Sequence, residues 1–245
     1  MSLRIGFASD DRHAISMAIT KDSVAAGFVL AGFGTVPRPG CVSDDPITYA
    51  IQYTAHHIQR LLSVLVNREM TDEEGAGEAL HRQMHKINDS INYINQHLGH
   101  SSYIAGCVCY VIGEQYLCLP FGGAAAYLCY SGQITPVKNQ MRPNPDPAYI
   151  YDAIGGSNVL PIAFEIGTLP VGGQIICTTQ PAQEGLLEDM LQTLTATNAQ
   201  YAAEYIHTTI QEQNLPIAVL DILQAAHFTG KTSTRGGDAH DQCSA

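Results

Sequence analysis

Apolar and polar positions follow two rhythms along this chain, and each predicts a different element. Short β-branched or apolar runs between polar turns predict strands over Leu3–Ala8, Ile15–Thr20 and Gly27–Ala31. Pro37-Arg38-Pro39-Gly40 closes that region. Asp45-Pro46 then supplies a helix N-cap with proline at the first helical position. After it Ile47, Ile51, Ile58, Leu61, Leu62 and Leu65 recur at helical spacing. A second helix opens on the capping box Thr71-Asp72-Glu73-Glu74, with Leu80, Met84, Ile87, Ile91, Ile94 and Leu98 as its stripe. Gly75 and Gly77 weaken its first turn, so that end is expected to fray.

The strand rhythm returns over Tyr103–Ile112, Gln115–Pro120, Ala124–Tyr130 and Gln133–Val137. Gly113-Glu114 and Ser131-Gly132 are two-residue links that read as hairpins. Pro143-Asn144-Pro145-Asp146-Pro147 reads as a surface loop. Gln174–Thr178 and Ile217–Leu223 read as strands, Gly185–Leu194 and Asn198–Glu212 as helices. Helices with one apolar face and mostly antiparallel strands predict a layered α+β sandwich. One domain over residues 1–228 is expected, with a flexible tail over 229–245.

Charge narrows the partners. Twelve Lys and Arg stand against twenty-three Asp and Glu, a net −11 with no basic cluster, so nucleic acid is excluded as a general partner. No apolar run reaches the roughly 18–20 residues of a spanning helix, so no membrane partner is expected. Most of the seven cysteines lie inside apolar runs, which fits buried free thiols and a reducing cytoplasm.

Phe121-Gly122-Gly123-Ala124-Ala125-Ala126-Tyr127-Leu128 has the outline of a V-G-D-S-R-x-Y-L segment with its acid missing. Four further stretches repeat the pattern. Arg12-His13-Ala14-Ile15-Ser16-Met17 matches R-x-x-N-E-D, and Val29-Leu30-Ala31-Gly32-Phe33-Gly34-Thr35 matches V-x-D-G-M-G-G. Ile175-Ile176-Cys177-Thr178-Thr179-Gln180 matches L-L-C-S-D-G, and Leu215-Pro216-Ile217-Ala218-Val219 matches D-N-I-T-V. In order and spacing these resemble the PPM family, the type-2C protein serine/threonine phosphatases. The resemblance implies a four-layer α-β-β-α sandwich, two antiparallel sheets face to face with helix pairs outside. It also implies two divalent cations between the sheets, held by aspartates, activating the water that attacks phosphorus.

Hard cations such as Mg²⁺ and Mn²⁺ need anionic oxygen ligands. Met17, Ala31, Gly123, Thr179 and Leu215 stand where the resemblance puts the acids, and none supplies a carboxylate. The expectation is a pseudophosphatase: no catalytic residue, no metal, no cofactor, and a protein-binding or signalling-regulatory role. Its partner would be a protein, with a kinase or a phosphoprotein as candidates, and Arg12 is the candidate phosphate contact. The competing enzyme reading is a phosphatase whose Mn²⁺ or Mg²⁺ site is rebuilt from Asp10, Asp11 or His13, or from Asp44-Asp45. A third reading is a structural or oligomerisation domain with its cleft filled. His81 and His85 lie at i, i+4, a spacing that can seat a metal, but they flank the apolar stripe and are expected on a solvated shoulder. Cys107 and Cys109 share one face of a strand and are expected to pack rather than react.

Overall fold

Alternation along each strand decides which layer its side chains enter, and nearly every strand here is apolar on both faces. The computed structural model describes residues 2–9, 14–19, 25–33, 45–67, 73–98, 103–139, 152–179, 198–209 and 216–223. Within them the order is β1 (Ser2–Ala8), β2 (Ala14–Ile19), β3 (Ala25–Phe33), α1 (Asp45–Asn67), α2 (Glu73–Leu98), β4 (Ile104–Ile112) and β5 (Gln115–Phe121). There follow β6 (Ala125–Tyr130), β7 (Gln133–Val137), β8 (Glu165–Thr168), β9 (Gln174–Thr178), α3 (Ala199–Thr209) and β10 (Ile217–Leu223). One antiparallel sheet has the order β1-β10-β9-β6-β7 and the other β2-β3-β4-β5-β8. Helices α1 and α2 cover the second sheet, and α3 lies on the first.

Three apolar layers hold these four tiers together. Phe28, Leu30, Cys107, Cys109, Cys177 and Leu220 fill the space between the sheets. The alternate residues Val29, Val108, Tyr110, Leu117 and Leu119 meet Ile58, Leu62, Leu80, Met84 and Ile87 of the helix pair. Ile176, Val219 and Ile217 meet Ala202, Ala203 and Ile206 of α3. Each fully buried aliphatic side chain contributes about 1.5–3 kcal/mol, so burial on both faces of both sheets is the dominant favourable term. Helix α3 comes so close to β1 that a side-chain carbon at Gly6 would collide with the Ala199 backbone. Gln200 completes this docking by accepting from the Phe7 N–H (3.0 Å) and donating to the Phe7 carbonyl (2.9 Å).

Most expected elements are present, with differences that have physical causes. Strand β3 runs over Ala25–Phe33 rather than Gly27–Ala31, because β4 pairs with it over that whole length. Helix α2 includes Gly75 and Gly77 from Glu73 onward. Gly77 is useful there, since a side-chain carbon would sit 3.1 Å from Leu117 Cδ2 where the helix rests on β5. Strand β8 was not foreseen; it is four residues, Glu-Ile-Gly-Thr, paired on one side only, with β5. The capping residues Thr71 and Asp72, the 143–147 loop, the 185–194 helix and the 229–245 tail lie outside the described residues. No described helix is long and apolar enough to cross a membrane.

One polar pair crosses the first sheet. Arg4 of β1 stands opposite Asp221 of β10, its Nε donating to Oδ1 at 2.9 Å and Nη2 to Oδ2 at 2.6 Å. The carboxylate is 3% exposed and the guanidinium 38%. Removing the arginine strands a buried charge, whereas removing the carboxylate leaves a cation that reaches water. Arg4→Met is therefore expected to destabilise the fold by about 3 kcal/mol and Asp221→Asn by about 1 kcal/mol. Urea midpoints of the two variants test this, and equal losses would contradict it.

Candidate functional site

Strand register, rather than motif counting, shows which of the singled-out positions meet. Ala31 of β3 pairs with Ala14 on one side and Gly106 on the other, and Gly106 pairs with Phe121. In the other sheet Ala125 pairs with Thr178, Thr178 with Ile217, and Ile217 with Ala8. These two rows mark one end of the sandwich. The Cys107 thiol joins them, donating toward the Ala125 carbonyl at 3.3 Å and the Thr178 carbonyl at 3.6 Å.

The link between the rows is the turn Phe121-Gly122-Gly123-Ala124. Both glycines have positive φ, 65° and 89°, and the Ala124 N–H donates to the Phe121 carbonyl at 3.1 Å. Such a turn suits glycine because a side chain in the left-handed region costs roughly 1–2 kcal/mol. A side-chain carbon at Gly122 would also lie 2.7 Å from Ala105 Cα. Beneath the turn is a carboxylate that sequence reasoning did not single out. Asp152 accepts from Gly122 N at 3.2 Å and from Asn139 Nδ2 at 3.3 Å, and it is 3% exposed. Its oxygens hold the turn in place. No motif marks it, and its partners are 13 and 30 residues away in the chain.

The five positions expected in place of the acids have separate fates. Ala31 is fully buried in the layer beneath the helices. Gly123 is buried within the turn, and Thr179 follows β9 at 2% exposure. Met17 does not join them. It pairs with Phe28, three residues along β2 from the Ala14–Ala31 level, and is 48% exposed. Leu215, Arg12, Asp10, Asp11, His13 and Asp44 lie outside the described residues.

The donor chemistry at the described positions does not fit a pair of hard cations. Alanine and glycine offer no side-chain ligand, and a threonine hydroxyl brings no charge. Among the described residues no group of three or more His, Cys, Asp or Glu side chains could hold a metal ion. The five described cysteines are free and buried. Burial pushes the Cys109 and Cys177 thiols well up, and Cys129 to about 12, so these are neutral packing groups.

His81 and His85 lie one turn apart on α2, flanking its buried stripe. Both are half-buried, with ring centroids 4.4 Å apart. Residues 152–164 come back over α2 with Ile162 beside His81, a placement that helical spacing alone does not reveal.

Comparison with known proteins shows the fold. Neither a family model nor a curated relative matches the sequence. Solved structures do. PppA, described as a key regulatory component of T6SS in Pseudomonas aeruginosa, superposes with a TM-score of 0.68 at 13% identity, covering 90% of this chain and 98% of its own. The catalytic domain of the serine/threonine phosphatase PstP, in complex with two manganese ions, gives 0.62 at 13% identity, over 91% and 99% of the two chains. Stp1, a serine/threonine phosphatase from Staphylococcus aureus, gives 0.65 at 11% identity, over 91% and 94%. The fold is that of the PPM-type serine/threonine phosphatases, two antiparallel sheets face to face with helices outside.

If these positions now serve packing, restoring acids should harm the fold. Ala31→Asp puts an unpaired carboxylate into a dry layer and is expected to cost about 3 kcal/mol or more. Gly123→Asp strains the turn by roughly 1–2 kcal/mol. Thermal and urea unfolding would show both losses, and Mn²⁺ should rescue neither; rescue of the double variant by Mn²⁺ would mean that the ligand geometry survives.

Proposed function

We propose that this chain is a catalytically inactive phosphatase-like module, one unit over residues 1–228, that acts by binding a partner protein in a signalling or regulatory setting. The observation that carries the reading is the chemistry of Ala31, Gly123 and Thr179. Three segments far apart in sequence each replace an expected acid with a side chain that cannot hold Mn²⁺ or Mg²⁺, and each is packed into the fold. One coordinated loss of charge explains all three.

The outer helices support a protein partner. Tyr49, Tyr53 and His57 follow one another along α1, with centroid separations of 6.0 and 4.2 Å. The Tyr53 hydroxyl donates to Ser90 Oγ of α2 at 3.4 Å, and one turn further on Tyr93 stacks on His97 at 3.8 Å. Tyr49 and Tyr93 are 57% and 62% exposed. Tyrosine brings a large rigid surface with a polar tip, and such residues are enriched at protein interfaces. A regulatory role also has a precedent in the fold, since PppA is described as a regulatory component. Kinases and phosphoproteins are the candidate partners, with Arg12 as the phosphate contact, and the buried free thiols support a reducing, cytoplasmic setting.

The deciding experiment uses chelator-stripped full-length protein, titrated with Mn²⁺ by calorimetry and assayed on p-nitrophenyl phosphate. The expected result is no Mn²⁺-dependent turnover. Turnover that is abolished by replacing Asp10, Asp11 or His13 would overturn the reading in favour of a rebuilt phosphatase site. The phosphate-binding role is separable: a phosphopeptide is expected to bind the wild type without metal and to lose about tenfold or more in affinity with Arg12→Ala.

A further inference from the structure

The groove at the edge of the second sheet, away from the sandwich end, has no role in that reading. It encloses about 660 Å³ between the first half of α2 and strands β5 and β8, with Glu78, His81, Arg82, Leu117, Phe164 and Ile166 among its walls. His81 lies on its wall, and His85 stands one helical turn further on. Their Nε2 atoms are 3.3 Å apart. Each neutral imidazole has one nitrogen lone pair, so one ring donates to the other across this gap.

We propose that His81 and His85 form a binding site for a first-row transition-metal ion, Zn²⁺ or Cu²⁺, whose remaining coordination positions open into this groove. The distance carries the argument. Two nitrogens 3.3 Å apart, each about 2.0–2.1 Å from one Zn²⁺, subtend about 104–111° at the ion, close to tetrahedral. Helical i, i+4 spacing sets both rings on one face, and α2 is continuous from Glu73 to Leu98, so the pair is held on a rigid element. The ion takes the place of the shared proton, which moves to the other ring nitrogen or to solvent.

The surroundings favour the same chemistry. The His81 ring also hydrogen-bonds the Ile162 backbone, the kind of outer contact that fixes a ligand's orientation. Glu78 and Arg82 bring one charge of each sign to the groove, and the net −11 of the chain favours cations. Imidazole suits Cu²⁺, Ni²⁺ and Zn²⁺, whereas Mn²⁺ stands at the weak end of that series. The site is therefore independent of any Mn²⁺-dependent hydrolysis at the sandwich end.

The test is calorimetry and thermal unfolding of the full chelator-stripped chain with Zn²⁺ and with Cu²⁺. Wild type is expected to bind one ion through this pair and to melt at a higher temperature with metal than without. A ligand that binds the folded geometry raises Tm, whereas one held equally by folded and unfolded chains does not. His85→Gln and His81→Gln should each weaken binding about tenfold or more and remove most of the Tm rise, while His57→Gln retains both. The Cu²⁺ electron paramagnetic resonance spectrum should report two imidazole nitrogens in wild type and one in either single variant. An undiminished affinity and Tm rise in the His81→Gln/His85→Gln double variant would overturn the proposal, as would the absence of binding in wild type. Melting of each variant without metal separates lost ligation from lost folding.

Discussion

Burial of both faces of both sheets is the constraint on which the rest of this structure depends. A central strand in such a sandwich has no solvated side. One set of its residues meets the opposite sheet, and the alternate set meets a helix. Phe28, Leu30, Cys107 and Cys109 take the first role, Val29, Ala31, Val108 and Tyr110 the second. Charge can enter only at strand ends, or as a fully engaged pair such as Arg4 and Asp221. Several carboxylates gathered at the end of such a sandwich repel one another and are tolerable only with cations between them. Without the cations each carboxylate becomes an uncompensated buried charge, so the acids are expected to be lost together. Glycine and threonine at 123 and 179 are consistent with that coupling, whereas Ala31 faces the helices rather than the opposite sheet.

Much of the fold was legible because its signals are local. Helix α1 follows from an apolar stripe that includes Ile51, Ile58, Leu62 and Leu65, all buried. The hairpin at Ser131-Gly132 follows from two residues that both take positive φ. Strand β8 was missed because four residues containing a glycine and two polar side chains carry almost no period, and pairing with β5 alone makes it a strand. The division into two sheets was not legible from periodicity either. Strands β5 and β6 are neighbours in sequence yet lie in different sheets, joined by a turn whose shape depends on Asp152 and on contact with Ala105.

The candidate site was legible in part for the same reason. Motif matching counts residues along one strand, whereas a site is built across strands. Register places Ala14, not Met17, opposite Ala31, and no single-strand alignment contains that information. His81 and His85 show the converse. Their spacing was plain, but the contact of Ile162 with His81 comes from a segment some eighty residues away in the chain.

That segment is held by amides as well as by apolar contact through Ile154, Leu160 and Ile162. Asn88 donates to the Ser157 carbonyl at 3.0 Å and accepts from Gly155 N at 2.9 Å, while Asn92 donates to the same Ser157 carbonyl at 2.7 Å. At its other end Asn139 accepts from Ala163 N at 3.0 Å and donates to the Pro161 carbonyl at 3.1 Å. Between these anchors Ile162 is placed against His81, and just beyond them Phe164 forms part of the groove wall. Asn88 is fully buried, so losing these bonds would strand polar groups at a cost of about 1–3 kcal/mol each. The groove is thus bounded by a specific hydrogen-bonded latch across α2. The groove and the sandwich end share strand β5 and also Asn139, which reaches both Asp152 under the turn and the Pro161 carbonyl of the latch. The histidine pair itself stands on α2 at the edge of the second sheet, away from that turn.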